Sequence, residues 1–277
     1  MSIVTISRGA YSKGREIAEK TAKKLGYRCI SREILLEASE RFNIPELKLA
    51  RAIHDSPSLL ERLGRTKEDY VAYIRVSLLR DLQRDNVVYH GLAGHFFVSA
   101  ISHVLKVRII AEMQDRIGDL KQLEPDKRKL SEEETQAIIE RDDEQRRKWS
   151  THLYGIDTRD PSLYDLVIHL RKITVADAVD TICNAVDFKS LRTTKASQMA
   201  LDALLARAEA KVVLINLQAD AEVTLEGATA TVWTKSGKTL GDRSKQRIES
   251  GLKECPGITE VKFGPDDMPY LNPWHKI

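Results

Sequence analysis

Residues Val4 to Gly26 read VTISRGAYSKGREIAEKTAKKLG, and how this stretch is read decides the fold. Val4 to Ser7 is a short, mostly apolar run of strand type, and behind Gly14 the residues Ile17, Ala18, Thr21, Ala22 and Leu25 recur at helical spacing. Between the two stand Gly9 and Gly14, with four residues between them. A helix that starts after a glycine loop presents unpaired backbone N–H groups and the positive end of its dipole, which together attract phosphate. Glycine lets the backbone close round such an anion. An ordinary phosphate loop continues with Lys and then Ser or Thr; here those two places hold Arg15 and Glu16. Arg15 can give two parallel hydrogen bonds to phosphate. Glu16 can reach Mg²⁺, but its charge repels phosphate, and as a first-turn acid it equally suits the helix dipole. On spacing alone, a phosphate loop and a pair of turn glycines are equal alternatives.

Working outward, Tyr27 to Ser31 predicts a second strand, and Val71, Ile74, Leu78, Leu79 and Leu82 share one face of a long helix. NVVYHGLAG begins as a buried strand and breaks at Gly91; Lys106 to Met113 and Tyr164 to Leu170 are further strands. Gln114 to Trp149 is densely charged and helical with a break at Pro125, and Val175, Val179 and Ile182 mark another helix. Strands alternating with helices predict an α/β fold, with a parallel sheet covered by helices on both faces. Ligands of such sheets sit beyond the carboxyl ends of the strands, so Ser7–Gly14, Gly91–His95 and the start of the charged region can share a cleft.

Beyond Phe188 the composition shifts. KSLRTTKASQ reads as a linker and Ala200 to Ala210 as an alanine-rich helix, followed by KVVLINL, AEVTLEG and ATATVWT as strands. A helix from about Asp242 to Lys253 precedes PGITEVKF, which makes a small α+β unit. The expected division is 1–188 for the large domain with a lid at about 114–160, 189–196 for the linker and 197–277 for the small domain.

The chain has 277 residues, 42% hydrophobic and 31% charged, with a net charge of +3 spread along it. Such a balance argues against a dedicated nucleic-acid binder, which concentrates basic residues on one face. Cys29, Cys183 and Cys255 form no CxxC pair, so no metal site is expected, and a sparse, odd count fits a reducing compartment. No signal peptide and no transmembrane run stand out, which predicts a soluble, cytoplasmic protein. His90 and His95 bracket the turn at Gly91, but no third ligand stands at metal spacing.

VTISRGAYSKGREIAEKTAKKLGYRCISREIL, from Val4 to Leu35, resembles the opening of the cytidylate kinase-like family. The match takes in Ser7-Arg8, Ser12, Gly14 to Ala18, Leu25-Gly26 and Arg32 to Leu35. A second stretch, RDDEQRRKWSTHLYGIDTRDPSLYDLVIHL, is similar to the family's lid in Asp143, Arg146, Tyr154-Gly155, Asp160-Pro161 and Tyr164. By that resemblance Arg15 and Glu16 are family variants of the loop. The resemblance implies a P-loop NTPase-type fold with a helical lid, nucleotide substrates, and ATP with Mg²⁺ for phosphoryl transfer to a nucleoside monophosphate such as CMP. It assigns phosphate binding to Gly9, Ser12, Lys13, Gly14, Arg15, Glu16 and Arg32, and catalysis to Arg15, Arg116, Arg146 and Asp143. Arg141 and Arg147 are further lid cations. The chain departs from the family at Ser31, where Asp is usual, and at Lys13, where glycine is. It departs again at Gly91-Leu92-Ala93, where the family reads Gly-Arg-Gly and the arginine faces acceptor phosphate. Leucine cannot donate a hydrogen bond, so a non-catalytic nucleotide sensor coupled to the small domain stands as the alternative. VTLEG and PGITEVKF are similar to the BON module, which implies ligand binding or protein association; a unit that covers a sheet edge or pairs two chains into a homodimer is the other reading.

Overall fold

A computed structural model describes residues 2–31, 33–44, 46, 48–49, 66–91, 94–234 and 239–264. Arg32, Leu92 and Ala93, together with Trp274, lie outside the described residues. The first strand, β1 (Ile3–Arg8), runs through the glycine loop into α1 (Gly14–Leu25), then β2 (Arg28–Ile30) and α2 (Glu33–Phe42). Next come α3 (Lys67–Leu82), β3 (Val87–Tyr89), a single turn α4 (Gly94–Phe97) and β4 (Val104–Ala111). Two helices, α5 (Met113–Leu123) and α6 (Glu132–Tyr154), precede β5 (Leu166–Leu170) and α7 (Val175–Val186). The first five strands form one sheet in the order β2-β3-β1-β4-β5, and every pairing is parallel.

The pleat sorts the side chains of the central strand. Ile3 joins a core under α2, α3 and α4, while Val4 and Ile6 join a second core under α1 and α7. All three are fully buried, as a central parallel strand covered on both faces requires. The chain leaves β3 on one flank of β1 and returns as β4 on the other. That reversal opens a crevice beyond the carboxyl ends of β1, β3 and β4.

The charged region folds as a helical lid. Pro125 starts a 3₁₀ turn (Pro125–Lys127) between α5 and α6. A capping box of Ser131 and Glu134 starts α6, and Gly155 ends it in the left-handed region at φ 68°. Although mostly polar, α6 is held at two points. Ile139 packs with Ala10, Ile117 and Leu120, and Trp149 enters the large core. Among the described residues no helix is long and apolar enough to cross a membrane.

The C-terminal region follows as α8 (Lys195–Asn216), β6 (Ala221–Glu226), β7 (Thr229–Thr234), α9 (Asp242–Lys253) and β8 (Glu260–Phe263). Its small sheet has the order β6-β7-β8, antiparallel and then parallel. KVVLINL, expected as a strand, is instead the last two turns of α8. Leu201, Leu205, Ala208 and Val212 pack into the large core, whereas Ala210 and Leu214 pack into the small one. Both sets repeat at helical spacing, so burial on two sides overrides the strand preference of a β-branched run. Arg80 of α3 pairs with the buried Glu209 (Nε–Oε1 2.7 Å), and the Tyr73 hydroxyl donates to Asn216 at 2.6 Å.

Candidate functional site

The crevice is a cavity of about 570 Å³. Its floor is apolar, from Ile34, Leu35, Ile74, Tyr89, Phe96 and Trp149. Around the floor stand Ser7, Arg8 and Gly9 at the end of β1, His90 and Gly91 after β3, and Arg108 from β4. The lid contributes Glu140, Asp143, Glu144, Arg146 and Arg147, and Arg159 closes one side.

Two close approaches explain glycines at the cavity edge. A Cβ on Gly14 would lie 2.7 Å from the Arg8 Cβ, so the start of α1 lies directly against the Arg8 stem. A Cβ on Gly91 or Gly94 would run into the Tyr89 ring at 2.4 or 2.3 Å, so the turn after β3 folds over that ring. The glycine loop itself also bends sharply, with Tyr11 and Lys13 both at positive φ (55° and 57°).

The lid is fastened to this loop. The Asp143 carboxylate accepts from the Ala10 N–H at 2.8 Å and from Arg116 Nη2 at 2.5 Å, while Arg116 Nε donates to the Ala10 carbonyl at 2.8 Å. Arg146 Nη1 donates to the Arg8 carbonyl at 3.3 Å. Within the loop, the Ser12 hydroxyl donates to the Gly9 carbonyl at 3.0 Å. Among the described residues no acceptor is bonded to the amides of Ser12 through Glu16. They are the free N-terminal donors of α1.

The electrostatics favour an anion. Burial first, then the nearby charges of Arg146 and Arg15, brings the Arg8 guanidinium down to about 10. Burial likewise lowers Arg146, with Asp143 and Asp142 opposing. Both stay protonated at neutral pH; at Arg8 the shift records burial and neighbouring like charge, and at Arg146 it records burial that Asp143 and Asp142 offset only in part. Burial, then Arg8, takes His90 down to about 4; burial, then Arg108 and Lys106, takes His95 down to about 3. Both imidazoles are neutral at pH 7.

The residues singled out from sequence divide into two groups. Gly9, Arg116, Asp143 and Arg146 come together at the loop, with Ser12 buried beneath it. Arg15 and Glu16 instead lie along the exposed face of α1, paired with Glu19 at 2.8 Å and Lys20 at 2.6 Å. Lys13 reaches toward Asp119 of α5 at 3.5 Å. Arg8, Arg108 and His95 line the cavity although sequence reading gave them no role. A signal was present for the two arginines: each is a charged residue in a strand otherwise built for burial.

A profile described as the cytidylate kinase-like family matches residues 3–172. The chain belongs to the cytidylate kinase-like family. The match ends just after β5, so the small C-terminal sheet lies outside the family region. A search of curated proteins returns no match. Among solved structures, an uncharacterized protein from Eubacterium ventriosum matches with a TM-score of 0.52 and 16% identity, over 68% of this chain and 100% of that one. A shikimate kinase from Bacteroides thetaiotaomicron matches at a TM-score of 0.43 and 12% identity, covering 68% of this chain and 99% of its own. A deoxyadenosine kinase from M. mycoides matches at 0.36 and 14%, covering 67% and 98%. The first of these shares the overall fold; the family match, the parallel strand order and the helical lid agree with a P-loop kinase-like fold for this member of the cytidylate kinase-like family.

Proposed function

We propose that this protein binds ATP at the β1–α1 loop and transfers a phosphoryl group to a nucleoside monophosphate, CMP or a close analogue, in the cavity beside it. One observation carries this reading: Arg146 donates to the Arg8 carbonyl at 3.3 Å, which brings two arginines together at the loop, and the Arg8 guanidinium has Arg146 and Arg15 as the charges that weigh most on it. Phosphoryl transfer asks a protein chiefly for positioning and for positive charge round the migrating group. The free amides of Ser12 to Glu16 fit donor phosphate oxygens, and Arg8 and Arg146 fit the charge on the transferred group. Arg116 and Asp143 grip the Ala10 peptide on both sides and so hold the loop in shape.

Mg²⁺, which the family resemblance implies, keeps several waters and takes one or two carboxylates besides phosphate oxygens. Glu16 is turned away to Lys20, so Asp143 and Glu140 are the carboxylates in the cavity that suit it. Bound there, the ion would neutralise donor phosphate charge. The direct test is an assay of the full chain with ATP, Mg²⁺ and each nucleoside monophosphate in turn. Turnover of one acceptor is the expected result, and no turnover of any by the folded protein overturns the catalytic reading.

A second reading, a non-catalytic nucleotide sensor, is favoured by α8, which belongs to both cores and ties the cavity-bearing unit to the small sheet. In that reading residues 1–188 hold nucleotide in the cytoplasm and 197–277, a BON-like unit joined through 189–196, answers to it or pairs two chains. ATP binding by calorimetry without turnover would select it.

A further inference from the structure

The wall of the cavity away from the glycine loop holds a second cation site. Arg108 lies next to Ser7 across the parallel β1–β4 pairing, so the two side chains project to the same face. Its Nη1 stands 3.4 Å from Ser7 Oγ and 3.3 Å from the Tyr164 hydroxyl, with the guanidinium 5.5 Å from the Tyr164 ring centre. The Tyr164 hydroxyl is the hub of this wall. It lies 2.9 Å from the Thr158 carbonyl, 3.2 Å from Ser7 Oγ and 3.2 Å from His95 Nε2.

The directions of these bonds follow from what each group can do. A carbonyl only accepts, so the Tyr164 proton goes to Thr158. The Tyr164 oxygen then receives bonds from Arg108 and from a neutral His95 that carries its proton on Nε2. Arg108 is therefore held at one nitrogen by neutral oxygens, and none of them cancels its charge. The other arginines of the cavity's outer wall differ: Arg147 is paired with Glu144 and Arg159 with Asp157, each at 2.7 Å or less. Among the described residues Arg108 has no carboxylate partner, and its remaining N–H groups have no acceptor. An arginine oriented but not neutralised, in a cavity with an apolar floor, is a receptor for an anionic group whose body is apolar or aromatic.

We propose that Arg108 binds the phosphate monoester of the acceptor, with Tyr164 and Ser7 as positioning residues that fix its guanidinium. The assignment rests on the reading of the cavity as a phosphotransfer site and adds to it the residue that selects a phosphorylated acceptor over the free nucleoside. It also supplies from β4 a guanidinium that the chain lacks at Leu92.

The test is calorimetry on the full chain and its Arg108→Gln, Arg108→Lys and Tyr164→Phe variants. Each is titrated with ATP, with the four ribonucleoside monophosphates and with the matching nucleosides, after circular dichroism and melting show an intact fold. The wild-type chain is expected to bind one monophosphate at least tenfold more tightly than its nucleoside. Arg108→Gln should weaken that monophosphate by about tenfold to a hundredfold, the loss expected for a charge-assisted hydrogen-bond pair, with ATP and nucleoside affinities unchanged. Arg108→Lys should recover part of the loss. Tyr164→Phe should cost less, and its effect should be absorbed in the double variant, because a positioning residue has nothing left to position. Wild-type monophosphate affinity in Arg108→Gln overturns the proposal, as does equal weakening of ATP and monophosphate, or a wild-type chain that binds ATP but no monophosphate. A wild-type chain that binds neither brings down the proposed function and this inference with it.

Discussion

Asp143 of the lid accepts a hydrogen bond from the backbone N–H of Ala10 at 2.8 Å, so a carboxylate already sits on a donor of the glycine loop. The same carboxylate holds Arg116, which in turn donates to the Ala10 carbonyl. Lid and loop are thereby one unit, and an arriving phosphate meets a loop whose shape is set in advance. Such preorganisation is the main protein contribution that charge stabilisation requires.

Replacing Asp143 by Asn keeps the size and removes the charge that fastens loop to lid. The Asp143 side chain is about one-third exposed, so the loss is discounted for solvent screening to about 1 to 2 kcal/mol. The melting temperature should fall by several degrees, and ATP should bind more weakly because the loop is no longer pre-shaped. Differential scanning fluorimetry with and without ATP reads both effects. An unchanged melting temperature would show that the contact does not stabilise the loop.

The charge of Arg146 disfavours that of Arg8, and an anion bound between them would reverse the sign of that interaction. Inorganic phosphate at millimolar concentration should therefore raise the melting temperature, by linkage to binding. Arg8→Met keeps the stem that packs on Gly14 and removes the charge. This variant should melt no lower than the wild type without anions, and should lose most of the rise on adding phosphate. A full phosphate response in Arg8→Met would place the anion elsewhere.

Acid should loosen the cavity before it titrates most carboxylates. His90 and His95 are held neutral with values of about 4 and about 3, against about 6.5 for a free imidazole. The unfolded chain thus binds more protons than the folded one as pH falls from 6.5 toward 4, and stability falls with it. Above 6.5 neither histidine contributes a slope. His90 faces Arg8, Arg15, Glu19 and Glu33, and His95 faces Arg108 and Lys106, so the cationic neighbours reinforce burial. Melting curves between pH 7 and 4.5 should show the decline, and His90→Gln should flatten part of it. A decline that begins only below pH 4.5 would assign it to carboxylates such as Asp157, which Arg159 holds down to about 2.

What could be read from the chain follows the range of the interactions involved. The β1–α1 unit was legible because its strand, glycine loop and helix are adjacent, and the hydrophobic period changes from 2 to 3.6 within it. The outward pairs Arg15–Glu19 and Glu16–Lys20 are ordinary i,i+4 helix pairs whose spacing stands in the sequence, yet the resemblance turned both Arg15 and Glu16 toward phosphate. Arg108 was not legible as a cavity residue. A charge in a buried strand marked it as unusual, but its place depends on the register that sets it beside Ser7, and register between distant strands is fixed by packing. Lys211 to Leu217 misled for a related reason. Val212 and Val213 favour a strand locally, but the alternation of Val212 and Leu214 between two separate cores is a tertiary fact.

That shared helix makes the last prediction. Leu201 and Leu214 lie on the same α8 but in different cores, and both are at least 98% buried. Leu201→Ala and Leu214→Ala should each cost about 2 to 5 kcal/mol, the usual range for a buried leucine truncated to alanine. If the two units were independent, Leu214→Ala would lower the melting of the small sheet alone and leave ATP-dependent stabilisation of the rest untouched. A helix common to both cores, pinned by Arg80–Glu209 and Tyr73–Asn216, makes the opposite expectation. Each variant should move a single calorimetric transition, and ATP should raise that transition as a whole. Two resolved peaks, only one of them shifted by Leu214→Ala, would separate the units. They would also remove the physical route by which nucleotide in the cavity could reach the small sheet.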